Sequence, residues 1–171
     1  DRRSSQPLSV GWVVVRAGRV DAGSAGYTPI HHDGHIPVDT VAVHGLLPTD
    51  LADAPTLDEV GDRLAPVVRD RLVVAHGAWM ERTMLDRCGV RVSTRDMVDT
   101  IHLARGLATR RGTGGRVPTG LARVAADLDL PVHRPHHAAG DALTTAGVFV
   151  ALATHLAGHG ARRVRDLRRV G

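Results

Sequence analysis

Apolar residues along this chain first gather in a β-rich run and later recur at helical spacing. Leu8 to Arg16 is β-rich and largely apolar, and Ala17-Gly18 can turn it into a second strand around Arg19 to Tyr27. Asp39 to Gly45 reads as a short helix ended by its glycine, and Thr49 to Ala52 as another turn. Thr56 stands three residues before Glu59, a capping-box spacing that opens a helix to about Val68. Arg71 to His76 is a short Val-rich strand of the buried kind, and a helix over Ala78 to Cys88 is stopped by Gly89.

Met97-Val98-Asp99 is a weak strand leading into a helix over Thr100 to Leu107. Thr109 to Gly115 is rich in Gly and Arg, lacks apolar periodicity and reads as a mobile loop. Behind Thr119, Leu121, Val124, Ala125 and Leu128 lie at helical spacing. The last long helix is predicted from about Ala138 to Leu156, and a short Arg-rich helix over Arg162 to Arg169 closes the chain. Two leading strands followed by alternating helices and strands predict an α/β fold with a mixed sheet. The division expected is one domain over residues 1–158 and an Arg-rich tail over 159–171.

Composition narrows this picture only a little. The 171 residues suit one domain with a substantial core, whose 43% hydrophobic content is mostly Val, Leu and Ala. There is no Lys, so all 22 basic residues are Arg, the side chain best shaped for bidentate phosphate contacts. A net charge of +4 permits a phosphate-bearing partner without requiring one. The lone Cys88 excludes an internal disulfide. No basic-then-apolar leader opens the chain, and the apolar stretch from Ala146 to Gly158 falls short of the roughly 20 residues that span a bilayer. A cytoplasmic protein without a membrane partner is expected.

The candidate chemistry sits at the heads of two helices. His136 precedes Asp141 by five residues at the mouth of the long apolar helix, a spacing that can put a proton acceptor and a metal ligand on one rim. Val73 to Glu81 reads as a strand delivering a second carboxylate, Glu81, into the first turn of the next helix. Each has a plainer reading: a first-turn carboxylate suits the helix dipole, and His136 can be a solvated loop residue. His31, His32 and His35 form a single loop cluster for which no carboxylate or Cys partner is expected nearby, more in keeping with solvated surface than with a metal site. Arg162, Arg163, Arg165, Arg168 and Arg169 read either as a solvated face or as phosphate-tracking side chains. Trp12 and Trp79 are candidate base-stacking residues, although Trp12 reads as core.

Several segments, in order, resemble the proofreading-type 3′–5′ exonucleases of the DEDD group, in the subgroup with a histidine base. Gly11 to Val15 with Gly18-Arg19-Val20 looks like the family's second strand and hairpin, and Asp53-Ala54-Pro55 with the following helix also fits. His44-Gly45-Leu46 resembles the segment beside the terminal nucleotide, and Ala75-His76-Gly77-Ala78 resembles the second motif. Asp99-Thr100 matches a common pair, and His136-x-Ala138-x-x-Asp141 is similar to the third motif. The resemblance implies a ribonuclease-H-like mixed sheet flanked by helices. It implies His136 as the catalytic base, Asp141 and Glu81 as metal ligands, and His44, Gly45, Leu46 and Gly77 as substrate contacts. It also implies two Mg²⁺ or Mn²⁺ ions, single-stranded DNA or RNA 3′ ends as substrate, and a larger polypeptide or polymerase assembly in replication or repair.

Three departures from the pattern matter. The family's Asp-x-Glu strand does not occur in these residues, its second-motif Asn is Gly77, and its second-motif Asp is Glu81. With that central strand absent, Leu8–Arg16 and Arg71–His76 should flank an interrupted sheet. The isolated chain should then hold the metal pair poorly, because Glu81 and Asp141 alone face two dications. Their carboxyl oxygens are expected within roughly 8 Å of each other if they share ions. Two other functions stay open: an exonuclease-like module that binds single strands or a protein without cleaving, and a nucleotide or short-oligonucleotide hydrolase on the same fold.

Overall fold

Strands β1 (Ser9–Arg16) and β2 (Arg19–Pro29) form the expected antiparallel hairpin in a computed structural model that describes residues 6–113 and 117–170. The connecting Ala17 and Gly18 both have positive φ, 48° and 73°, the paired left-handed geometry that matches the twist of a tight hairpin. Between Trp12 and Val14 the register slips, and the Ser24 hydroxyl replaces the lost ladder bond by accepting the Val14 N–H at 2.8 Å.

Helices α1 (Val38–His44), α2 (Pro48–Ala52) and α3 (Leu57–Val68) follow. Helix α1 ends on Gly45 as anticipated, and α3 begins with the Thr56–Glu59 box, in which Glu59 accepts the Thr56 N–H at 2.8 Å. Strand β3 is only Val73–Ala75, shorter than the Arg71–His76 run expected. Arg71 is diverted: its guanidinium donates to the Pro66 and Val67 carbonyls at 3.0 and 2.7 Å, closing the end of α3.

Beyond β3 come α4 (Ala78–Arg87), β4 (Met97–Asp99) and α5 (Thr100–Arg110). Helix α5 takes in Thr109 and Arg110, which the sequence pattern assigns to a loop, because both side chains bond back to carbonyls one turn earlier. Gly114 and Gly115 of that loop lie outside the described residues. Helix α6 (Leu121–Ala126) starts after Gly120 instead of Thr119 and ends before the expected Leu128. Helix α7 (Ala138–Gly158) extends slightly past its expected end. The C-terminal helix shrinks to α8 (Val164–Leu167), because Asp166 accepts the Arg162 and Arg163 N–H groups and makes those residues its cap.

The strands do not join into one ladder. Among the described residues β1 pairs with β2, and β3 pairs in parallel with β4, leaving the expected interruption between β1 and β3. Helix α7 packs across both pairs and against α5 and α6. Over its 21 residues it is long and apolar enough by composition to cross a membrane, with mean hydropathy 1.2, which the shorter apolar stretch read from sequence did not indicate. Here it serves as the core helix. Val148, Leu152 and Leu156 bury against Leu103, Leu107, Val124 and Val98, and Ala161, Leu167 and Val170 of the C-terminal turn join the same cluster. A second cluster gathers Val10, Ile30, Val60, Leu64 and Leu85 around the hairpin and α3. The first turn of α7 rests directly on β1 at Gly11, where any β-carbon would collide with the backbone of Ala138 and Ala139. That approach fixes the mouth of α7 over the hairpin.

Candidate active site

The segment before α7 is a bent loop whose shape the sequence only partly discloses. His136 has φ +63°, the left-handed region that non-glycine residues rarely occupy and in which His is enriched. The bend turns its two backbone groups to different partners. Its N–H reaches the Asp141 carboxylate, and its carbonyl accepts the Nδ1–H of His44 at 3.2 Å. The His44 and His136 rings meet edge to face at 6.4 Å. His137 stacks on Tyr27 of β2 at 4.5 Å, and its carbonyl accepts the Asp141 N–H at 2.9 Å. Behind the loop, the Thr144 hydroxyl accepts the His133 N–H at 3.0 Å and donates to Gly140 O at 2.9 Å. A histidine-rich rim is thus tied to β2, α1 and α7 at once.

Burial raises the pKa of Asp141 above the usual carboxylate range. The His136 N–H and the neighbouring His136, His44 and His137 work against it. A carboxylate desolvated yet ringed by imidazoles is suited to receive a cation or to steady a protonated histidine.

Glu81 occupies the other helix head, in the first turn of α4. Burial first, and then the negative charge of Asp99, push it up to about 7. Its Oε2 is buried without a hydrogen-bond partner. In the sequence Asp99 stands out only as half of a common pair, yet it builds the site. Its carboxylate accepts the N–H groups of Gly77 at 3.1 Å, Ala78 at 3.0 Å and Ile101 at 2.9 Å, so one side chain sets the starts of α4 and α5. An Asp heading a helix before Thr100 is the signal that could have found it. His76 is likewise structural: Nε2–H donates to Thr119 O at 2.8 Å, and Nδ1 pairs with the Thr100 hydroxyl at 2.8 Å.

His44, His136 and Asp141 are therefore brought together, and Glu81 lies within reach of the charge of Asp99. Gly77 heads α4 with φ +88°, its N–H already taken by Asp99, and Gly45 caps α1 with its N–H on Val41 O. Leu46 is half-buried just beyond. Among the described residues no three His, Cys, Asp or Glu side chains gather closely enough to hold a metal ion, the His31–His35 loop included. Contrary to expectation a carboxylate does partner that loop: Asp33, two residues on from His31, pairs with its Nε2 at 2.8 Å. In donor chemistry Glu81 and Asp141 are hard oxygens appropriate to Mg²⁺ or Mn²⁺, and the orphaned Glu81 Oε2 fits one such cation. The described residues do not fit a pair of cations.

Comparison with known proteins agrees with this architecture. The family model for exonucleases of the RNase T type matches residues 2–149, and the chain belongs to that exonuclease family. A PolC-type DNA polymerase III of Staphylococcus saprophyticus is 28% identical over 121 residues, covering 68% of this chain and 8% of the polymerase. A Mycobacterium tuberculosis protein named as a putative bifunctional exonuclease/endonuclease is 28% identical over 145 residues, covering 82% of this chain and 22% of that protein. The chain thus spans a small part of the curated relatives it matches. Among solved structures, exonuclease X in complex with 5′ overhanging duplex DNA superposes with a TM-score of 0.68 at 18% identity, covering 95% of this chain and 89% of the other. That likeness establishes the ribonuclease-H-like α/β fold.

Proposed function

We propose that this domain hydrolyses terminal phosphodiesters at the 3′ ends of single-stranded DNA or RNA. In this reading His136 removes the proton of the attacking water, and Asp141 and Glu81 are carboxylate ligands to Mg²⁺ or Mn²⁺. His44, Gly45, Leu46 and Gly77 border the terminal nucleotide. The observation that carries the reading is the rim of His44, His136 and Asp141, built by the left-handed bend at His136. Exonuclease relatives and the polymerase match support it and suggest a place within a larger replicative or repair polypeptide.

The 171 residues contain no Asp-x-Glu, and two carboxylates poorly neutralise two divalent ions. The isolated chain should therefore release little nucleotide from labelled single strands with Mg²⁺ or Mn²⁺. Fusing an Asp-x-Glu strand ahead of Asp1 should restore release, and His136→Ala in that extended protein should lower it by roughly 10²–10⁴-fold. Vigorous metal-dependent digestion by the chain alone would overturn the incompleteness. An inert extended protein would sink the hydrolase reading. The lack of a three-ligand group among the described residues favours a second reading, a module that binds single strands without cutting them.

A further inference from the structure

Helix α5 turns one face to solvent outside the site just described. His102, Arg105, Gly106, Thr109 and Arg110 lie at helical spacing on that face, and the C-terminal turn adds Arg169 and Val170. Together they line a groove of about 690 Å³ whose lining, among the described residues, includes three arginines, one histidine and no carboxylate.

The groove is built. At Gly106 a β-carbon would collide with the carbonyl of Val170, so only glycine lets the C-terminal turn lie this close to α5. Arg110 then bridges the two segments, donating through Nη1 to Gly106 O and to Val170 O, each at 3.1 Å. Its position in the last turn of α5 also suits the helix dipole, so Arg110 is accounted for by architecture. Arg105 and Arg169 are not. Arg105 is in mid-helix and Arg169 comes from another segment, and neither makes an ion pair among the described residues. Neighbouring Arg168, in contrast, lies 3.7 Å from Asp96. The packing brings two uncompensated guanidinium groups to one groove, where like charges repel until an anion arrives. Their planar forks are shaped to take phosphate oxygens in pairs.

We propose that this groove is a second nucleic-acid binding surface, in which Arg105 and Arg169 hold backbone phosphates of a single strand away from its terminal nucleotide. The choice of a polynucleotide rests on the hydrolase reading above, and the groove itself does not. Asp99, the cap of α5, also anchors the start of α4, and the groove runs along α5 away from that junction. The 11 residues of α5 span about 16 Å, which a stacked strand at about 3.4 Å per nucleotide covers in about five steps. Dinucleotides should ignore the groove and longer strands should use it.

The test is fluorescence anisotropy of a labelled 12-mer oligothymidylate, titrated with the full chain in EDTA at several salt concentrations, so that no hydrolysis intervenes. The Arg105→Gln/Arg169→Gln double variant should bind more weakly. The slope of log K against log salt should flatten by about 1.4, at about 0.7 for each phosphate of a single strand that is no longer neutralised. Arg105→Lys/Arg169→Lys should keep most of the slope while losing affinity, since charge remains and the fork does not. A labelled dinucleotide should show no difference between variants, and matching thermal melts would establish that the folds are intact. An unchanged 12-mer slope in Arg105→Gln/Arg169→Gln overturns the groove, even if the extended protein still digests strands. Competition by inorganic phosphate with an unchanged 12-mer slope overturns it too. A groove-dependent slope in a protein that never cleaves upholds the groove and defeats only the hydrolase reading.

Discussion

His44 donates from Nδ1 to the carbonyl oxygen of His136 at 3.2 Å, across 92 residues of chain. This bond, with the Asp141 carboxylate on the His136 N–H, holds a non-glycine residue at φ +63°. Such a conformation costs on the order of 1–2 kcal/mol for a residue with a β-carbon and little for glycine. His136→Gly and His136→Ala remove the same imidazole, yet the glycine variant should be the more stable by about 1 kcal/mol. Urea denaturation of both decides the matter. An alanine variant equal to or better than the glycine one would mean that the loop is not bent in this way.

Asp99 should matter more to stability than its half-buried position suggests. Its carboxylate satisfies three backbone N–H groups at the heads of two helices. Removing a helix cap typically costs about 1 kcal/mol, and leaving further N–H groups orphaned adds to it, so Asp99→Ala should lose about 2–3 kcal/mol. Asp99→Asn, which keeps one acceptor oxygen, should lose less. Equal stability of Asp99→Ala and the parent in chemical denaturation would refute the capping role.

These two residues show where sequence reading succeeds and stops. Local signals are legible where their partners lie within one turn: Thr56 with Glu59, Gly45 at the end of α1, Ala17-Gly18 between the strands. An Asp before Thr100 announces a cap. It does not announce that the same carboxylate reaches Gly77 and Ala78, more than 20 residues earlier. Strand β3 is short because Arg71, which has the spacing of a strand residue, satisfies the end of α3 instead. At the site, His136 and Asp141 are legible as a pair from their five-residue spacing, and the third-motif resemblance supplies their expected roles. The burial of Glu81 within range of the Asp99 charge is not legible, because desolvation is a property of packing.

Glu81 makes a pH-dependent prediction with a definite sign. Its folded pKa, about 7, lies above its ordinary 4.5, so the folded state holds the proton more tightly than the unfolded state. The stability it contributes is complete below pH 4.5, declines as pH rises and is gone above about 7. The difference between about 7 and 4.5, at about 1.36 kcal/mol per pH unit, sets the fall at about 3 kcal/mol. Glu81→Gln cannot ionise, so denaturation midpoints should match the parent near pH 4 and exceed it at pH 8. Added Mg²⁺ that stabilises the parent at pH 8 but not Glu81→Gln would tie the carboxylate to a cation. A parent whose stability rises between pH 5 and 8 relative to Glu81→Gln would show that Glu81 is stabilised as an anion.

The two tryptophans should behave as opposites toward single strands. Trp12 lies over Gly26 within the hairpin and packs, half-buried, against the core, so less of its indole is open to a strand. Trp79 is 57% exposed and Met80 56% exposed in the first turn of α4, immediately before Glu81. Val43 and Leu47, near the His44-Gly45-Leu46 segment, are also exposed, so apolar surface flanks both elements assigned to the terminal nucleotide. An exposed indole beside the proposed metal ligand Glu81 is suited to stack on a base, an interaction worth about 1–3 kcal/mol per base. Oligothymidylate should therefore quench the red-shifted part of the emission, which belongs to the solvated indole, and leave the Trp12 component unchanged. Trp79→Ala should abolish that quenching and weaken oligonucleotide binding by about 5- to 160-fold, with stability altered by no more than about 0.5 kcal/mol. Quenching that survives in Trp79→Ala, or binding that is untouched by the change, would remove Trp79 from the substrate path.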